Sequence, residues 1–242
     1  MARIALLTLL LGSVCVRALL PQASNRPRVL LRLASVGAVA GPAVDAVHNQ
    51  ALLNYDVLPV AVPLGLGVAK TSLLIPPLLA FAYAVLGGLL PPLAMALVGG
   101  DPPSTGASSP GRNAALAVSS TVGIIKLSEL LQLAQLPTPA ALLLLTVPCA
   151  LQWWLLDGSR ASLALALLAA VGGPLAEIPL MKLGLWHYTA PDYWPLQGLS
   201  FGPGTGNDWA GLSAITGPCY FAVTTDAIAL GRWFGSEPSA KR

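Results

Sequence analysis

The chain has 242 residues, of which 55% are hydrophobic and only 10% are charged, and its mean hydropathy is +0.71. A soluble domain carries about 25% charged residues, so this composition excludes an ordinary water-soluble domain and predicts a helical protein that crosses a membrane several times. The net charge of +3 is small and scattered, which does not indicate nucleic-acid binding. Cys15, Cys149 and Cys219 have neither metal-ligand spacing nor the even number of a disulfide framework.

Residues 1–32 are predicted to be a targeting leader. An apolar run over residues 4–16 is too short to span a bilayer comfortably and is typical of a signal-peptide core. Residues 22–32 contain three arginines and no acid, which is typical of a transit peptide. Together these features favour two-step targeting to a plastid bounded by extra membranes. A simple secretory signal with a basic tail is the alternative.

Six apolar stretches of nearly the length that a bilayer requires, roughly 20 residues, follow the leader. They are predicted as helices at residues 33–50, 72–90, 113–134, 139–156, 162–185 and 210–230. The predicted fold class is therefore an all-α membrane protein, a six-transmembrane-helix bundle over residues 33–234, with a polar tail at 235–242.

Prolines and glycines interrupt this pattern at three places. Pro91 and Pro92 are expected to end the second helix. The apolar but broken segment 57–69 predicts an interfacial or re-entrant stretch, and residues 101–111 predict a flexible loop.

The distribution of basic residues orients the bundle. If the first helix starts on the cytosolic or stromal side, that side holds most of the basic residues outside the helices: Arg26, Arg28, Arg32, Arg112, Arg160, Arg232, Lys241 and Arg242. The opposite side holds Lys70 and Lys182 with several acids. This positive-inside pattern places both termini on the cytosolic or stromal side.

A short turn between the fourth and fifth helices combines two tryptophans with a capping signal. Trp153 and Trp154 are typical of a membrane–water interface. Asp157 and Ser159 can cap the next helix, and Arg160 can pair with the carboxylate. Capping and charge placement already explain most of this pattern, as a capped turn with an ion pair.

Ionisable residues within predicted membrane helices are functional candidates because they are costly there. They are Asp45, Lys126, Glu129, Glu177 and Asp226. Lys126 and Glu129, three residues apart, share a helix face and are expected to pair. Glu177 or Asp226 is expected to partner Lys126 as well or to stay protonated.

Small residues predict where helices pack closely. Gly37 and Gly41 with the neighbouring alanines Ala38, Ala40 and Ala43 suit this role in the first helix, as Gly172 and Gly173 do in the fifth. Pro174 beside them is expected to open a gap for a ligand.

One rim of the predicted bundle carries two histidines and two carboxylates, namely Asp45, His48, His187 and Asp192. Such groups can bind a metal, which gives a membrane-embedded metal-dependent hydrolase as a minor alternative. No His-Glu-x-x-His motif, nucleophile elbow or nucleotide-binding loop occurs, so no catalytic residue, metal or cofactor is predicted.

The Trp-Trp-x-x-Asp-x-Ser-Arg sequence at 153–160 and the later Tyr188-Thr-Ala-Pro191-Asp192-Tyr lie on either side of one whole helix. This pairing resembles the insulin-induced-gene (INSIG) family, over roughly residues 33–234. Pro218-Cys219-Tyr220-Phe221 is similar to the start of that family's sixth helix. Arg232 matches its terminal arginine, although the family's preceding Gly-Asn pair is missing and the loop at 193–217 is longer. The chain resembles a divergent member of the algal or plant type.

The resemblance implies a six-helix protein of the endoplasmic reticulum that binds a sterol among its helices and retains a membrane partner. It also implies that Asp157, with Ser159 and Arg160, serves partner binding, and that Trp153, Trp154, Tyr188, Pro191 and Asp192 belong to the motif. We therefore expect a non-enzymatic regulator whose partners are a membrane lipid or sterol and a membrane protein. The resemblance places it in the reticulum, and the leader places it in a plastid. A structural or assembly protein of a plastid membrane is the alternative.

Overall fold

The computed structural model describes residues 25–48, 52–63, 68–99, 109–196 and 210–237. The leader up to residue 24, the predicted loop at 101–108 and the end of the tail lie outside these ranges. The described chain is mostly helical, and its six long helices are α1 (Arg26–His48), α2 (Ile75–Val98), α3 (Pro110–Leu133), α4 (Thr138–Leu156), α5 (Arg160–Lys182) and α6 (Thr216–Ser236).

Five of these helices, α1 to α5, are long and apolar enough to cross a membrane. The sixth predicted span does not meet that description, because α6 mixes apolar residues with threonines, Asp226 and Arg232. Most of its 21 residues are buried, and it contacts all five other helices. A helix that its neighbours surround can be less apolar than helices that face lipid.

Local signals set most helix boundaries. Ser109 and Ser159 are the N-caps of α3 and α5, where their side chains accept hydrogen bonds from Arg112 and Ser162 backbone N–H groups. The turn before α5 contains Gly158 at φ +67°, a conformation that glycine adopts without steric cost. The Ser159 cap confirms the capping role expected of the short polar turn.

The sequence predicted that the second helix would end at Pro91 and Pro92, and this prediction is wrong. It continues to Val98 and stops at Gly99, whose φ is +69°. A π-helical turn at Val85–Leu89 precedes the two prolines. This wider turn explains the continuation, because a proline lacks the N–H of a regular helix and crowds the carbonyl four residues earlier.

Two other boundaries differ from the prediction. Helix α1 begins at Arg26, so the three leader arginines are helical. Helix α6 begins at Thr216 rather than at residue 210, because the preceding residues bond to another loop: Leu212 forms an antiparallel bridge with Tyr193.

Four short strands were not predicted at all. Strand β1 (Leu53–Tyr55) pairs antiparallel with β4 (Trp186–Tyr188), with Asn54 opposite His187. Strands β2 (Pro59–Pro63) and β3 (Val68–Ser72) pair with each other, so the segment predicted as interfacial or re-entrant contains strands. The β1–β4 pair links the α1–α2 connection to the α5–α6 connection, whereas β2 and β3 both lie within the α1–α2 connection.

The helices alternate in direction. At one end of the bundle Arg32 of α1 pairs with Glu237 after α6, and Asn113 of α3 donates to the Leu156 carbonyl of α4 at 3.4 Å. At the other end Thr138 of α4 donates to Asp192 after β4. We refer to the first as the arginine end and to the second as the strand end.

Candidate functional site

A cavity of about 310 Å³ lies among the helices near the strand end. Its wall is mostly apolar and is formed by five of the six helices together with β1 and β4. The wall residues are Gly41, Val44, Asp45, Leu53, Tyr55, Ile75, Leu78, Leu79, Ala82, Tyr83, Ile125, Gly173, Ala176, Glu177, Leu180, Trp186, Tyr188, Thr216, Cys219, Tyr220 and Val223.

Exposed wall residues indicate a lateral opening of the cavity between α2 and α5. These helices pack together near the arginine end, where Ala94 of α2 lies in one cluster with Ala161 and Leu165 of α5. Towards the strand end the wall residues Leu78 of α2 and Ala176 of α5 are exposed. The opening therefore faces the position that lipid would occupy around the bundle.

Glu177 is the most heavily hydrogen-bonded group of the cavity. Its carboxylate accepts from Trp186 Nε1 at 3.2 Å and from the hydroxyls of Tyr188 and Tyr220 at 2.8 Å each. The side chain is buried, and it lies one turn after Pro174 in α5. All three described donors are neutral, and none is Lys126, the partner considered for it.

Strand pairing and helix packing bring these donors together. Trp186 and Tyr188 are alternate residues of β4, so their side chains point to the same side of the strand. Burial raises the pKa of the Tyr188 hydroxyl well above its usual range, and the nearby Glu177 raises it further. Tyr188 therefore keeps its proton and acts as a donor at all ordinary pH values.

Tyr220 reaches Glu177 across a close contact between α6 and α5. A Cβ at Gly173 would lie 2.5 Å from the Tyr220 ring, so this glycine makes room for the aromatic side chain. Gly173 therefore has the close-packing role predicted for it, whereas nothing lies within 4 Å of a Cβ at Gly172.

Two further carboxylates bond to tyrosines of the cavity wall. Asp45 of α1 accepts a hydrogen bond from Tyr55 of β1. Asp226 of α6, which is buried, accepts from the Tyr83 hydroxyl at 2.8 Å, and its other oxygen has no hydrogen-bond partner among the described residues. The described contacts thus pair Asp226 with a tyrosine of α2 rather than with Lys126.

Lys126 pairs with Glu129, as the spacing predicted. Glu129 is buried, whereas the Lys126 side chain is 50% exposed, so its long aliphatic part lies along the bundle surface. Neither residue lines the cavity.

Asp157 pairs with a residue other than the one expected. Its carboxylate forms an ion pair with Arg232 of α6 and accepts the Ser159 backbone N–H at 2.8 Å. Arg232 also donates to the Ser159 hydroxyl at 3.4 Å. Arg160 is exposed, so the expectation that it holds the Asp157 carboxylate is wrong.

The two tryptophans of this turn have different surroundings. Trp153 Nε1 donates to the Ser159 carbonyl at 3.0 Å and to the Ser162 hydroxyl at 3.1 Å. Trp154 is 67% exposed. One indole therefore stabilises the turn, and the other lies on the surface at the arginine end.

Pro191 and Asp192 join the strand end to the start of α6. Asp192 accepts from the Thr138 hydroxyl at 2.6 Å and from the Ala214 N–H at 2.7 Å. A Cβ at Gly211 would lie 2.7 Å from Pro191, so the two loops touch. These described contacts give the second half of the motif a structural role.

The proposed metal rim is not assembled by the described side chains. Asp45 bonds to Tyr55, His187 Nδ1 lies 2.7 Å from Asp56, and Asp192 bonds to Thr138. No group of three or more metal-ligating side chains occurs among the described residues, which do not include the His48 side chain. The hydrolase alternative therefore gains no support from them.

Sequence reasoning missed Tyr55, Tyr83 and Trp186 around the carboxylates, and it named Tyr188 and Tyr220 only as members of the resembling motifs. Each is an ordinary aromatic residue in an apolar stretch, and the strands that position Tyr55, Trp186 and Tyr188 were not predicted. The alternation Trp186-x-Tyr188 between Lys182 and the Pro191 turn was the only local signal of a strand.

No model of a known protein family, no curated protein and no solved structure matches this chain.

Proposed function

We propose that this membrane protein binds a sterol or another apolar lipid in the cavity between α1, α2, α5 and α6, and thereby regulates or retains a membrane partner. The observation that carries the proposal is the cavity itself, which is apolar over most of its wall, carries polar groups on one part and opens sideways. Ligand sites are typically concave and apolar with a few placed polar groups. The motif resemblance to the INSIG family supports the same function.

The arginine end supports the partner part of the proposal. The exposed Trp154 and Arg160 flank the buried Asp157. Exposed aromatic and arginine side chains are frequent anchors of protein interfaces. In this proposal the buried Asp157 does not contact the partner, and its ion pair with Arg232 holds the turn that carries Trp154 and Arg160 in place. The reticulum and plastid membranes are both compatible with this function.

Lipid retention tests the proposal. The full chain is purified in a neutral detergent, and the lipids that remain bound are extracted and identified by mass spectrometry. Ala176→Trp places a large side chain at the cavity opening and is expected to reduce the retained lipid severalfold. Leu168→Trp is the matched control, because Leu168 is also exposed on α5 but does not line the cavity. Equal retention in wild type and both variants contradicts a ligand in this cavity.

A further inference from the structure

The cavity combines an apolar wall with acidic and aromatic groups and contains no basic side chain among its described wall residues. Two of its wall residues, Asp45 and Glu177, are acids, and five are aromatic, namely Tyr55, Tyr83, Trp186, Tyr188 and Tyr220. A sterol hydroxyl requires one donor or acceptor, which this arrangement exceeds.

The three hydrogen bonds to Glu177 do not use all the binding capacity of its carboxylate. A carboxylate offers about four lone-pair sites, and three neutral donors already occupy most of them. The N–H of Trp186 can only donate. About one acceptor site therefore remains for a ligand donor, and no described contact of Glu177 supplies a cation. A charge at this depth is costly unless an opposite charge lies close to it.

The aromatic wall residues also favour a cationic ligand. A cation placed near the faces of tyrosine or tryptophan is attracted by the ring electrons, and this attraction strengthens when water is excluded. Tyr188 and Tyr220 donate their hydroxyls to Glu177, and both residues line the cavity beside it. Asp45 adds a second acid from α1.

We propose that the cavity recognises a long-chain amphiphile that carries a protonated amine, with the ammonium held at Glu177 and Asp45 and the hydrocarbon chain directed along the apolar wall to the opening. This inference rests on the proposed function, since it names the chemical class of the lipid that the cavity takes. The lateral opening between Leu78 and Ala176 admits such a molecule from the bilayer without passage through water.

Competition among matched ligands tests the charge requirement. The purified full chain, in a neutral detergent at neutral pH, is titrated with octadecylamine, octadecanol and octadecanoate, and binding is followed by the intrinsic fluorescence of the tryptophans. We expect octadecylamine to bind at least about tenfold more tightly than octadecanol, because charge-assisted hydrogen bonds are stronger than neutral ones. Octadecanoate should bind least tightly of the three.

Glu177→Gln keeps the size of the side chain and removes its charge, so it should abolish the preference for the amine over the alcohol. Glu129→Gln is the control, because Glu129 is also buried but lies outside the cavity wall. If Glu177→Gln does not fold, Asp45→Asn and the selectivity of the wild-type protein still decide the question.

The outcomes separate the inference from the proposed function. Tight binding of alcohol and amine alike overturns the amine inference and leaves a lipid-binding cavity. A preference for the amine that survives in both Glu177→Gln and Asp45→Asn overturns the role of these acids. Failure of all three ligands to bind, together with no retained lipid in the purified protein, overturns both.

Discussion

Asp157 shows how a single carboxylate acquires a partner from a distant part of the chain. The sequence places Arg160 three residues away, yet the ion pair forms with Arg232, which α6 brings to the same turn. The Asp157 side chain is only 5% exposed, and that of Arg232 is 28% exposed. Spacing along the chain identifies local pairs such as Lys126 with Glu129, but it cannot rank contacts between helices.

Asp157→Asn is expected to destabilise the fold by about 2 kcal/mol. Breaking a fully buried ion pair costs about 3–5 kcal/mol, and the partial exposure of Arg232 lets water compensate for part of the loss. Arg160→Ala should change stability by about 0.5 kcal/mol or less, as exposed substitutions do. Thermal unfolding of the two purified variants, followed by fluorescence-detected chromatography, measures the difference. Equal losses in both variants would contradict the assignment of the pair to Arg232.

At the scale of elements, glycines set the distances between helices. Gly37 and Gly41 of α1 both lie against Leu79 of α2, as their small size predicted. Gly87 of α2 and Gly231 of α6 also face each other, because a Cβ at Gly231 would overlap the Gly87 carbonyl oxygen. The crossing of α2 and α6 thus occurs at the π-helical turn.

Gly231→Ala is expected to separate α2 from α6 and to cost about 1–3 kcal/mol through overpacking. Gly123→Ala in α3 is the matched control, since nothing lies within 4 Å of its added Cβ. That control should be neutral or more stable by up to about 1 kcal/mol, because alanine favours helices more than glycine does. Apparent melting temperatures of the two variants distinguish them, and a stable Gly231→Ala protein would contradict the close crossing.

The helices were predictable because each is a long apolar stretch, while the strands were not. Strand β4 has only three residues, and its partner β1 lies more than a hundred residues earlier. No local periodicity reports such a pairing. The candidate cavity was foreseen only in part: Pro174 pointed to a gap and Glu177 to a polar group, but the positions of Tyr55 and Tyr188 depend on that strand pairing.

For the whole molecule, the contacts place Lys70 and Arg112 at opposite ends of the bundle. Lys70 lies in β3 at the strand end, and Arg112 lies in the first turn of α3 at the arginine end. The excess of arginines at the arginine end predicts that this end faces the cytosol or stroma.

Substituted cysteines test this orientation. In sealed vesicles of known orientation, a membrane-impermeant thiol reagent should label Arg112→Cys from the cytosolic or stromal side and Lys70→Cys only from the other side. Both variants are made in a Cys15→Ser chain, in which the remaining native cysteines, Cys149 and Cys219, are buried and serve as the unlabelled background. Labelling of both new cysteines from one side would contradict the alternating arrangement of the helices.

The central position of α6 has a consequence for biogenesis. It is the last of the described helices to leave the ribosome, yet it supplies Arg232 to Asp157, Tyr220 to Glu177 and Asp226 to Tyr83. Until α6 inserts, these polar groups of the earlier helices lack the partners that α6 supplies. Nascent chains that stop before residue 216 therefore lack the described α6 partners of Asp157, Glu177 and Tyr83.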